Sequence, residues 1–355
     1  MHFYEKVRMN AYSQNKEYSK VKISVVGAGA FGTALAIYSK KLGHDVAVWC
    51  FEKELPSIVA EKGENSLYLP GYKIEPSIVF TNDPAEAISS SDLIILVSPS
   101  SHIRKTSALI APFITNNTYI LSAAKGIETG SLKLMSEILE ETLSEHKDRL
   151  AYISGPSFAK DVASGLPTDL ACASHNIETA RKIQDILHSE TIRIYAQDDV
   201  IGTELGGALK NIIAVACGAC DALNLGASAR ASLMTRGLAE MTRLGIAMGA
   251  NPLTFLGLAG VGDLILTCTG DLSRNRTLGK RIALGEKASE IISHQSAVAE
   301  GYVTVKPAVE LAKKHGVEMP ISKAVYDVCY NDADLKSVIK YLMNRGEKDE
   351  LHGIV

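Results

Sequence analysis

The sequence has few of the features that mark secreted, membrane-bound or nucleic-acid-binding proteins. It contains only six cysteines in 355 residues, and residues 1–20 are polar and charged, without the apolar centre of a secretory signal. We therefore expect reduced thiols, a flexible N-terminal extension over residues 1–20 and a cytoplasmic location. The formal net charge is −3, so the chain lacks the excess of basic residues that binds nucleic acid or an anionic membrane.

Long hydrophobic runs and metal-binding patterns are also missing. The longest uncharged stretch, residues 106–124, is interrupted by Pro112, Asn116 and Asn117, which indicates a helix end, a loop and a strand and excludes a membrane span. The nine histidines are scattered without the spacing of metal ligands. We therefore expect neither membrane insertion nor a bound metal.

One cysteine pair leaves two interpretations open. Cys217 and Cys220 form a C-x-x-C pattern, which suggests either metal and redox chemistry or close packing within an apolar helix. No second cysteine pair or nearby histidine completes a zinc site, so packing is favoured.

What the sequence does contain is a complete βαβ unit near its start. A β-branched run over residues 21–26 leads directly into the glycine pattern GAGAFG of residues 27–32 and then into a helical segment. Residues 45–50 supply a second strand. Glycines in such a turn let the backbone approach a pyrophosphate, whose charge faces the helix N-terminus. The unit therefore predicts a dinucleotide site.

Strands and helices continue to alternate as far as residue 200. Further strands are predicted at residues 78–81, 93–97, 119–122, 151–154, 170–173 and 193–195, and helices at 132–143 and 178–187. This alternation is typical of a Rossmann-like, doubly wound and largely parallel sheet, which binds ligands beyond the carboxyl ends of its strands.

The pattern changes near residue 200. Segments rich in Ala, Leu and Met with helical spacing, such as residues 233–248, 303–315 and 323–330, predict an all-helical second half. A chain of 355 residues is also long enough for about two domains. We place the dinucleotide-binding domain at 21–205, the helical substrate-binding domain at 206–345 and a tail at 346–355.

A lysine and an asparagine stand in an apolar segment where neither is expected unless it is used. Residues 206–211, GGALKN, precede an uncharged run, and this pattern predicts a buried helix with Lys210 at its start. Desolvation lowers the pKa of an ammonium group, which can then give or take a proton near neutral pH. The alternative is a lysine that extends its head group to solvent.

Further charged residues stand at segment ends. Lys125 follows a predicted strand, Asp263 lies between two apolar stretches, and the run Ser273-Arg274-Asn275-Arg276 follows soon after. Two lysines, a carboxylate and an Arg-Asn pair suit a phosphorylated substrate, since Arg binds phosphate through two parallel hydrogen bonds. The alternatives are a solvated helix face for the two arginines and a helix N-cap for Asp263.

Together these motifs resemble the NAD(P)-dependent glycerol-3-phosphate dehydrogenase family. The resemblance runs from about residue 21 to 345 and rests on the segments GAGAFGTALA, ILVSPS, SAAKGIE, ISGPSFAKDVASGLPT, LGGALKNIIA, TRGLAEM, GLAGVGDLILTCTGDLSRNR and AEGYVT. It implies reversible hydride transfer between NAD or NADP and dihydroxyacetone phosphate, giving sn-glycerol 3-phosphate for phospholipid synthesis. It also implies a helical C-terminal domain like that of 6-phosphogluconate dehydrogenase.

The resemblance also implies roles for single residues. Lys210 corresponds to the proton donor and acceptor, assisted by Lys125 and Asp263. The substrate-binding positions are Lys125, Gly155, Ser157, Lys210, Asn211, Asp263, Ser273, Arg274 and Asn275. The cofactor-binding positions are Gly27, Gly29, Ala30, Phe31, Gly32, Phe51, Lys125, Ala159, Arg274, Val298 and Glu300. Thr267 is a further candidate for supporting Lys210. Lys125 would lower the pKa of Lys210 and Asp263 would raise it, and the sequence leaves this balance open.

The end of the second strand bears on the choice of cofactor. Bacterial members of the family often carry Arg or His there, which suits a 2′-phosphate, whereas this chain has Phe51 followed by Glu52. Glu52 lies about twenty residues beyond Gly32, where an acidic group binds ribose hydroxyls and repels phosphate. Lys53 opposes this argument. The sequence therefore favours NAD over NADP only slightly.

Two other functions are compatible with parts of this sequence. Another two-domain dehydrogenase, acting on a 2-hydroxy or β-hydroxy acid, would not need a phosphate clamp at Arg274 and Asn275. A catalytically silent nucleotide sensor would not need Lys125, Lys210 and Asp263 together. We expect dihydroxyacetone phosphate or sn-glycerol 3-phosphate as substrate, no nucleic-acid partner and a homodimer.

Overall fold

The computed structural model describes residues 20–294, 299–347, 349–350 and 352–353. The predicted N-terminal extension, Lys20 apart, lies outside the described residues, as does part of the predicted tail. The predicted cofactor position Val298 lies outside them as well.

Ten strands form among the described residues, all before residue 198 and mostly from runs of branched apolar residues. The strands of the sheet centre are buried on both faces, as parallel strands between helical layers must be. In chain order the strands are β1 (Lys22–Val26), β2 (Asp45–Trp49), β3 (Glu64–Asn65), β4 (Leu69–Lys73), β5 (Val79–Thr81), β6 (Leu93–Leu96), β7 (Tyr119–Ser122), β8 (Leu150–Ser154), β9 (Thr168–Ala173) and β10 (Ile192–Gln197).

Eight of these strands make one sheet in the order β10-β9-β8-β7-β6-β1-β2-β5. Every neighbouring pair in it is parallel except β8 and β9. The chain runs from β1 outward to β2 and β5 and then returns to β6 on the other side of β1, so a crevice opens beyond the carboxyl ends of β1 and β6. The predicted doubly wound, largely parallel sheet is confirmed.

Helices connect the strands and cover both faces of the sheet. They are α1 (Ala30–Lys41), α2 (Leu55–Lys62), α3 (Pro84–Ile88), α4 (Ile103–Ile110), α5 (Met135–Thr142), α6 (Ala159–Ser164) and α7 (Ile177–Leu187). Helix α5 begins three residues later than predicted, because Leu132 has a φ of 61° and the carboxylate of Glu137 accepts from the backbone N–H of Leu134. The antiparallel hairpin of β3 and β4 was not predicted, since Pro70 and Gly71 interrupt its pattern.

The second half of the chain is helical throughout its described residues. Its α-helices are α8 (Val200–Ala222), α9 (Ala227–Ala247), α10 (Asp263–Thr269), α11 (Arg274–Ala283), α12 (Ala288–Ser293), α13 (Glu300–Lys314), α14 (Pro320–Tyr330) and α15 (Leu335–Met343). The predicted all-helical architecture is confirmed.

Helix α8 is the centre of this half and contacts α9, α10, α11, α13 and α14. Glycines bring α8 and α11 into backbone contact. A Cβ atom added at Gly218 would lie 1.9 Å from the carbonyl oxygen of Arg276, and one added at Gly279 would lie 1.9 Å from that of Val215. No side chain larger than hydrogen fits at either position without moving a helix.

The structure corrects the predicted place of Lys210. It lies in the middle of a 23-residue helix and not at a helix start, because the segment before it, which includes Glu204, is helical and buried too. Helix α8 is long and apolar enough to cross a membrane, but 89% of its most apolar window is buried inside the protein. The domain limit predicted at 205/206 falls within this helix and stays a prediction.

Candidate active site

Two lysines converge on one buried carboxylate. Lys125 follows β7, Lys210 lies on α8, and Asp263 is the first residue of α10. The Nζ atom of Lys125 donates to Oδ2 of Asp263 over 2.7 Å, and Nζ of Lys210 donates to the other oxygen, Oδ1. Lys210 also donates to Oγ1 of Thr267 over 2.8 Å. The four side chains form one hydrogen-bonded group where the sheet meets the helical half.

The alternative role of Asp263 as a helix cap is wrong. Gly262 is the N-cap residue of α10, and both carboxylate oxygens of Asp263 accept from lysines. A short π-helix, Leu258–Gly262, precedes α10. It packs so closely on the preceding turn that a Cβ atom at Gly260 would lie 2.1 Å from the carbonyl oxygen of Phe255. This close backbone packing fixes the position of Asp263 and therefore of its carboxylate.

The charges in the group explain its protonation states. Burial is the main cause that lowers the pKa of Lys210, to about 8, and Lys125 acts in the same direction while Asp263 opposes both. Burial alone would raise the pKa of Asp263, but the two ammonium groups outweigh it and hold that pKa below its usual value. Lys210 is only 7% exposed, so the alternative of a head group extended to solvent is wrong. At neutral pH the ammonium of Lys210 is close enough to its pKa to exchange a proton.

Asn275 ties three helices together beside this group. Its Nδ2 donates to Oδ1 of Asn211 on α8 over 2.9 Å, and its Oδ1 accepts from the backbone N–H of Gly301 on α13 over 2.8 Å. Ser273 is the N-cap of α11 and accepts from the backbone N–H of Arg276. These three polar side chains, Asn211, Ser273 and Asn275, are buried and hold helix ends in place around the site.

The two arginines of α11 differ sharply. Arg276 is buried and donates to Asp221 and to Asp271, each over 2.7 Å, so it ties α11 to α8. Arg274 is exposed and forms no salt bridge within the part of the chain that the structure describes. Its positive charge lowers the pKa of the buried Glu300, although burial raises that pKa more. Of the two arginines, Arg274 is therefore the one without a carboxylate partner among the described residues.

The loop after β8 brings Gly155, Ser157 and Ala159 to the carboxyl edge of the sheet. Gly155 has a φ of +141°, and a Cβ atom there would lie 3.1 Å from the carbonyl oxygen of Asp169, so the turn needs glycine. Ser157 donates through Oγ to the carbonyl of Gly155 over 3.1 Å. Ala159 begins α6, which packs against α1. The loop therefore lies between the lysine group and the glycine turn.

The glycine turn has the shape that a nucleotide site requires. Gly27 has a φ of +113°, and a Cβ atom at Gly32 would lie 1.9 Å from the carbonyl oxygen of Gly27. Gly29, by contrast, faces open space, since a Cβ atom there would meet nothing within 4 Å. Helix α1 begins at Ala30, followed by the half-buried Phe31, and its first backbone N–H groups face the crevice at the end of β1.

The turn after β2 is held by side chains from two other segments. Nδ2 of Asn82 donates to the carbonyl oxygens of Cys50 and Glu52, over 2.8 and 3.0 Å. The hydroxyl of Tyr68 donates to Oε1 of Glu52 over 2.7 Å. Phe51 is 80% exposed and Lys53 is exposed, so the ordered charge at this turn is the carboxylate of Glu52.

Glu300 joins the two halves of the chain on the other side of the crevice. Its Oε2 accepts from Oγ of Ser100 over 2.8 Å and its Oε1 from the backbone N–H of Ser100 over 3.3 Å. Ser100 follows β6 and is packed against Gly126, where a Cβ atom would lie 2.5 Å from its side chain. This contact fixes the loop after Lys125 against α13.

Several buried polar groups at the site were not predicted from the sequence. The hydroxyls of Ser154 and Thr304 are buried without a hydrogen-bond partner among the described residues. Ser154 lies beside Gly207 and the stem of Lys125, and Thr304 lies beside Gly126. No charge or glycine pattern marks these two residues, although Ser154 ends a predicted strand and Thr304 lies one helical turn after Glu300. Tyr68 was missed because its hairpin was missed.

Comparisons with known proteins agree with this geometry. A family model described as the NAD-dependent glycerol-3-phosphate dehydrogenase N-terminus matches residues 22–180, and its C-terminal counterpart matches residues 199–340. A protein of Citrifermentans bemidjiense named glycerol-3-phosphate dehydrogenase [NAD(P)+] is 47% identical over 93% of this chain and 98% of its own. One of Geobacter sulfurreducens with the same name is 44% identical over 93% of this chain and 98% of its own. A crystal structure of glycerol-3-phosphate dehydrogenase from Coxiella burnetii is 36% identical, with a TM-score of 0.87 over 92% of this chain and 99% of that one.

Proposed function

The chain belongs to the NAD-dependent glycerol-3-phosphate dehydrogenase family, and we propose that it is an oxidoreductase that interconverts dihydroxyacetone phosphate and sn-glycerol 3-phosphate with NAD or NADP. The observation that carries the proposal is the pairing of Lys210 and Lys125 with Asp263, together with the exposed Arg274, which has no salt bridge among the described residues. That arrangement supplies a proton donor and an anion site in one place.

The glycine turn fits the cofactor. The open face of Gly29 leaves room for a pyrophosphate, and the first N–H groups of α1, those of Ala30 and Phe31, would bind its oxygens. When bound, the cofactor supplies or accepts the hydride. Phe51, Ala159, Arg274, Val298 and Glu300 are proposed to line its site, as the resemblance implies.

Lys210 is proposed to act on the oxygen at C2 of the substrate. In its ammonium form it donates a hydrogen bond to the carbonyl oxygen, stabilises the alkoxide that forms during reduction and delivers the proton to it. In the reverse direction neutral Lys210 accepts that proton. Asp263 keeps both lysines oriented, and Thr267 takes a second N–H of Lys210, so the ammonium has a fixed direction. Lys125 adds a second positive charge near the developing alkoxide.

Arg274 is proposed to bind the phosphate of the substrate. Its guanidinium has no salt-bridge partner in the described part of the chain and could make a bidentate contact, whereas that of Arg276 already binds two aspartates. The N-terminal backbone of α11, capped by Ser273, would add N–H donors to the same phosphate. Gly155, Ser157, Asn211 and Asn275 are proposed to complete the substrate site.

A side-by-side assay tests this function. The purified protein is mixed with NADH or NADPH, and oxidation is followed at 340 nm with and without dihydroxyacetone phosphate. We expect oxidation that depends on dihydroxyacetone phosphate and that falls sharply with unphosphorylated dihydroxyacetone. Equal rates with the two ketones would contradict a phosphate site at Arg274, and no oxidation with either cofactor would contradict the function.

Several further properties follow from the same proposal. We propose a cytoplasmic enzyme that supplies sn-glycerol 3-phosphate for phospholipid synthesis, acts as a homodimer, and neither enters a membrane nor binds nucleic acid. The domain limits at 205/206 and 345/346 belong to this proposal too. Light scattering of the purified protein tests the dimer, since a monomer of 355 residues has half the expected mass.

A further inference from the structure

The turn after β2 is connected to the glycine turn by a chain of hydrogen bonds that runs through the β3–β4 hairpin. Asn65, which is fully buried, donates through Nδ2 to the carbonyl oxygen of Ala28 and to Oγ1 of Thr33, each over 2.8 Å. Oδ1 of Asn65 in turn accepts from the backbone N–H of Tyr68 over 3.1 Å. The position of Tyr68 is therefore fixed directly against the glycine turn.

Tyr68 in turn holds the side chain of Glu52. Its hydroxyl donates to Oε1 of Glu52 over 2.7 Å, which leaves Oε2 as the oxygen without a side-chain partner among the described residues. Burial and the neighbouring carboxylate raise the pKa of Tyr68 to about 12, so the hydroxyl is protonated and can donate at neutral pH. A hydrogen bond to a carboxylate is stronger than one between neutral groups, so it restricts the rotamers of Glu52.

The backbone of the same turn is fixed independently. Asn82 holds the carbonyl oxygens of Cys50 and Glu52, so the main chain at Glu52 does not depend on Tyr68. Loss of the Tyr68 hydroxyl would therefore release the carboxylate and leave the turn in place. This separation makes the contribution of the hydroxyl measurable.

We propose that Tyr68 is a positioning residue for cofactor selection: it holds the carboxylate of Glu52 toward the adenosine ribose and so makes the site reject a 2′-phosphate. The proposal rests on the proposed use of a nicotinamide dinucleotide. A carboxylate held in one place accepts hydrogen bonds from ribose hydroxyls and repels a phosphate at the same position. A carboxylate free to rotate into solvent would do both less well, and it would then counter the positive charge of the exposed Lys53, next to it in the chain, less effectively.

The test measures binding of cofactor fragments and does not depend on turnover. Dissociation constants for ADP-ribose and ADP-ribose 2′-phosphate are measured by calorimetry for the parent, Tyr68→Phe, Glu52→Ala and the double variant. The ratio of the two constants reports the discrimination against the 2′-phosphate. We expect Tyr68→Phe to reduce this ratio about 3- to 10-fold, which is the size expected for one hydrogen bond to a partly exposed carboxylate.

The chain offers a matched control on the same hairpin. The hydroxyl of Tyr72 is 3.2 Å from Oγ of Ser164 and does not contact Glu52. Tyr72→Phe therefore removes the same group from the same hairpin, and we expect it to leave the ratio unchanged. If Tyr68 acts through Glu52, the double variant has the ratio of Glu52→Ala alone, because no carboxylate remains to be positioned.

Three outcomes would overturn the proposal. The parent could bind both fragments equally, Tyr68→Phe could weaken both by the same factor, or the double variant could discriminate clearly less than Glu52→Ala. Failure of the proposed function is a separate result, since it would show as absent ketone-dependent oxidation while these binding ratios were unaffected.

Discussion

Lys210 and Asp263, 53 positions apart in the chain, form an ion pair in which the side chains are only 9% and 2% exposed. A buried pair of this kind is costly to break, because removal of one partner leaves the other charge without compensation. Here Asp263 has a second cation, Lys125, and therefore keeps a partner when Lys210 is removed. This asymmetry makes Lys210 the residue to remove in a test of catalysis.

Lys210→Ala should abolish most turnover and leave nucleotide binding nearly intact. The lysine acts on the substrate oxygen and lies away from the glycine turn, so we expect kcat to fall by about 10²- to 10⁴-fold. The measurement is steady-state kinetics together with a fluorescence titration of NADH. Activity within a few-fold of the parent would remove Lys210 from the proposed role. Asp263→Asn is the companion variant, and we expect it to destabilise the fold as well, because two buried ammonium groups lose their counter-charge.

The two directions of the reaction should respond oppositely to pH. The pKa of Lys210 is lowered to about 8, so its ammonium form prevails below pH 8 and its neutral form above. Ketone reduction needs the ammonium as proton donor and should decline as pH rises through about 8. Alcohol oxidation needs the neutral amine and should increase over the same interval. Profiles of kcat/KM in both directions check this, and two parallel profiles would contradict it.

Arg274→Ala should raise the KM for dihydroxyacetone phosphate at least about 10-fold, because a charge-assisted contact with phosphate is worth roughly 1.5 to 3 kcal/mol. Arg276→Ala is the matched control on the same helix. It removes the guanidinium that binds Asp221 and Asp271, of which Asp221 keeps Arg230, so we expect a lower melting temperature as its main effect. A normal KM in the Arg274 variant would mean that another group binds the phosphate.

Phe51→Arg should shift the cofactor preference toward NADP. The parent has an exposed aromatic ring and a held carboxylate at the turn after β2, and we expect it to use NAD at least as well as NADP. The substitution adds a guanidinium at an exposed site, where it can reach a 2′-phosphate without repacking the core. The ratio of kcat/KM values for NADH and NADPH measures the shift. A strong preference of the parent for NADPH would contradict the use of Glu52.

Glu204 should make stability depend on pH. It is buried on α8 and accepts from the backbone N–H and the hydroxyl of Ser136 at the start of α5, and burial raises its pKa to about 8. A folded-state pKa above the unfolded value of about 4.5 means that stability is full below pH 4.5 and is lost as pH rises toward 8. Chemical unfolding at pH 5 and at pH 8 measures the loss of unfolding free energy between the two. Glu204→Gln should make this loss smaller by about 1 kcal/mol or more. An unchanged slope would show that Glu204 does not titrate in this range.

The doubly wound sheet, the helical second half and the lysine–carboxylate group could be predicted because each leaves a local signal. Branched runs mark the strands, glycines mark the nucleotide turn, and a lysine in an apolar segment is costly enough to need a reason. The place of Lys210 was predicted wrongly because Glu204, which belongs to the same buried helix, interrupted the apolar pattern. Its buried carboxylate is compensated by Ser136, 68 positions away. Such long-range compensation is absent from any local pattern.

The spacing of Arg274 and Arg276 could not show either which of the two is exposed and which is buried in salt bridges. Which of two arginines is free depends on Asp221, one helix away. The link from the glycine turn through Asn65 and Tyr68 to Glu52 was likewise invisible, since it depends on a hairpin that its own proline and glycine conceal.

The backbone contact between α8 and α11 has a consequence for substrate length. Gly218 and Gly279 let the two helices meet without intervening side chains, so the separation between Lys210 and the start of α11 is set by main chain alone. Under the proposed roles of Lys210 as proton donor and Arg274 as phosphate ligand, this helix separation sets the distance between carbonyl and phosphate in a substrate that fits both. We therefore expect a substrate homologue with one more carbon to react poorly, and Gly279→Ala, which would push the two helices apart, to change the substrate length that reacts best.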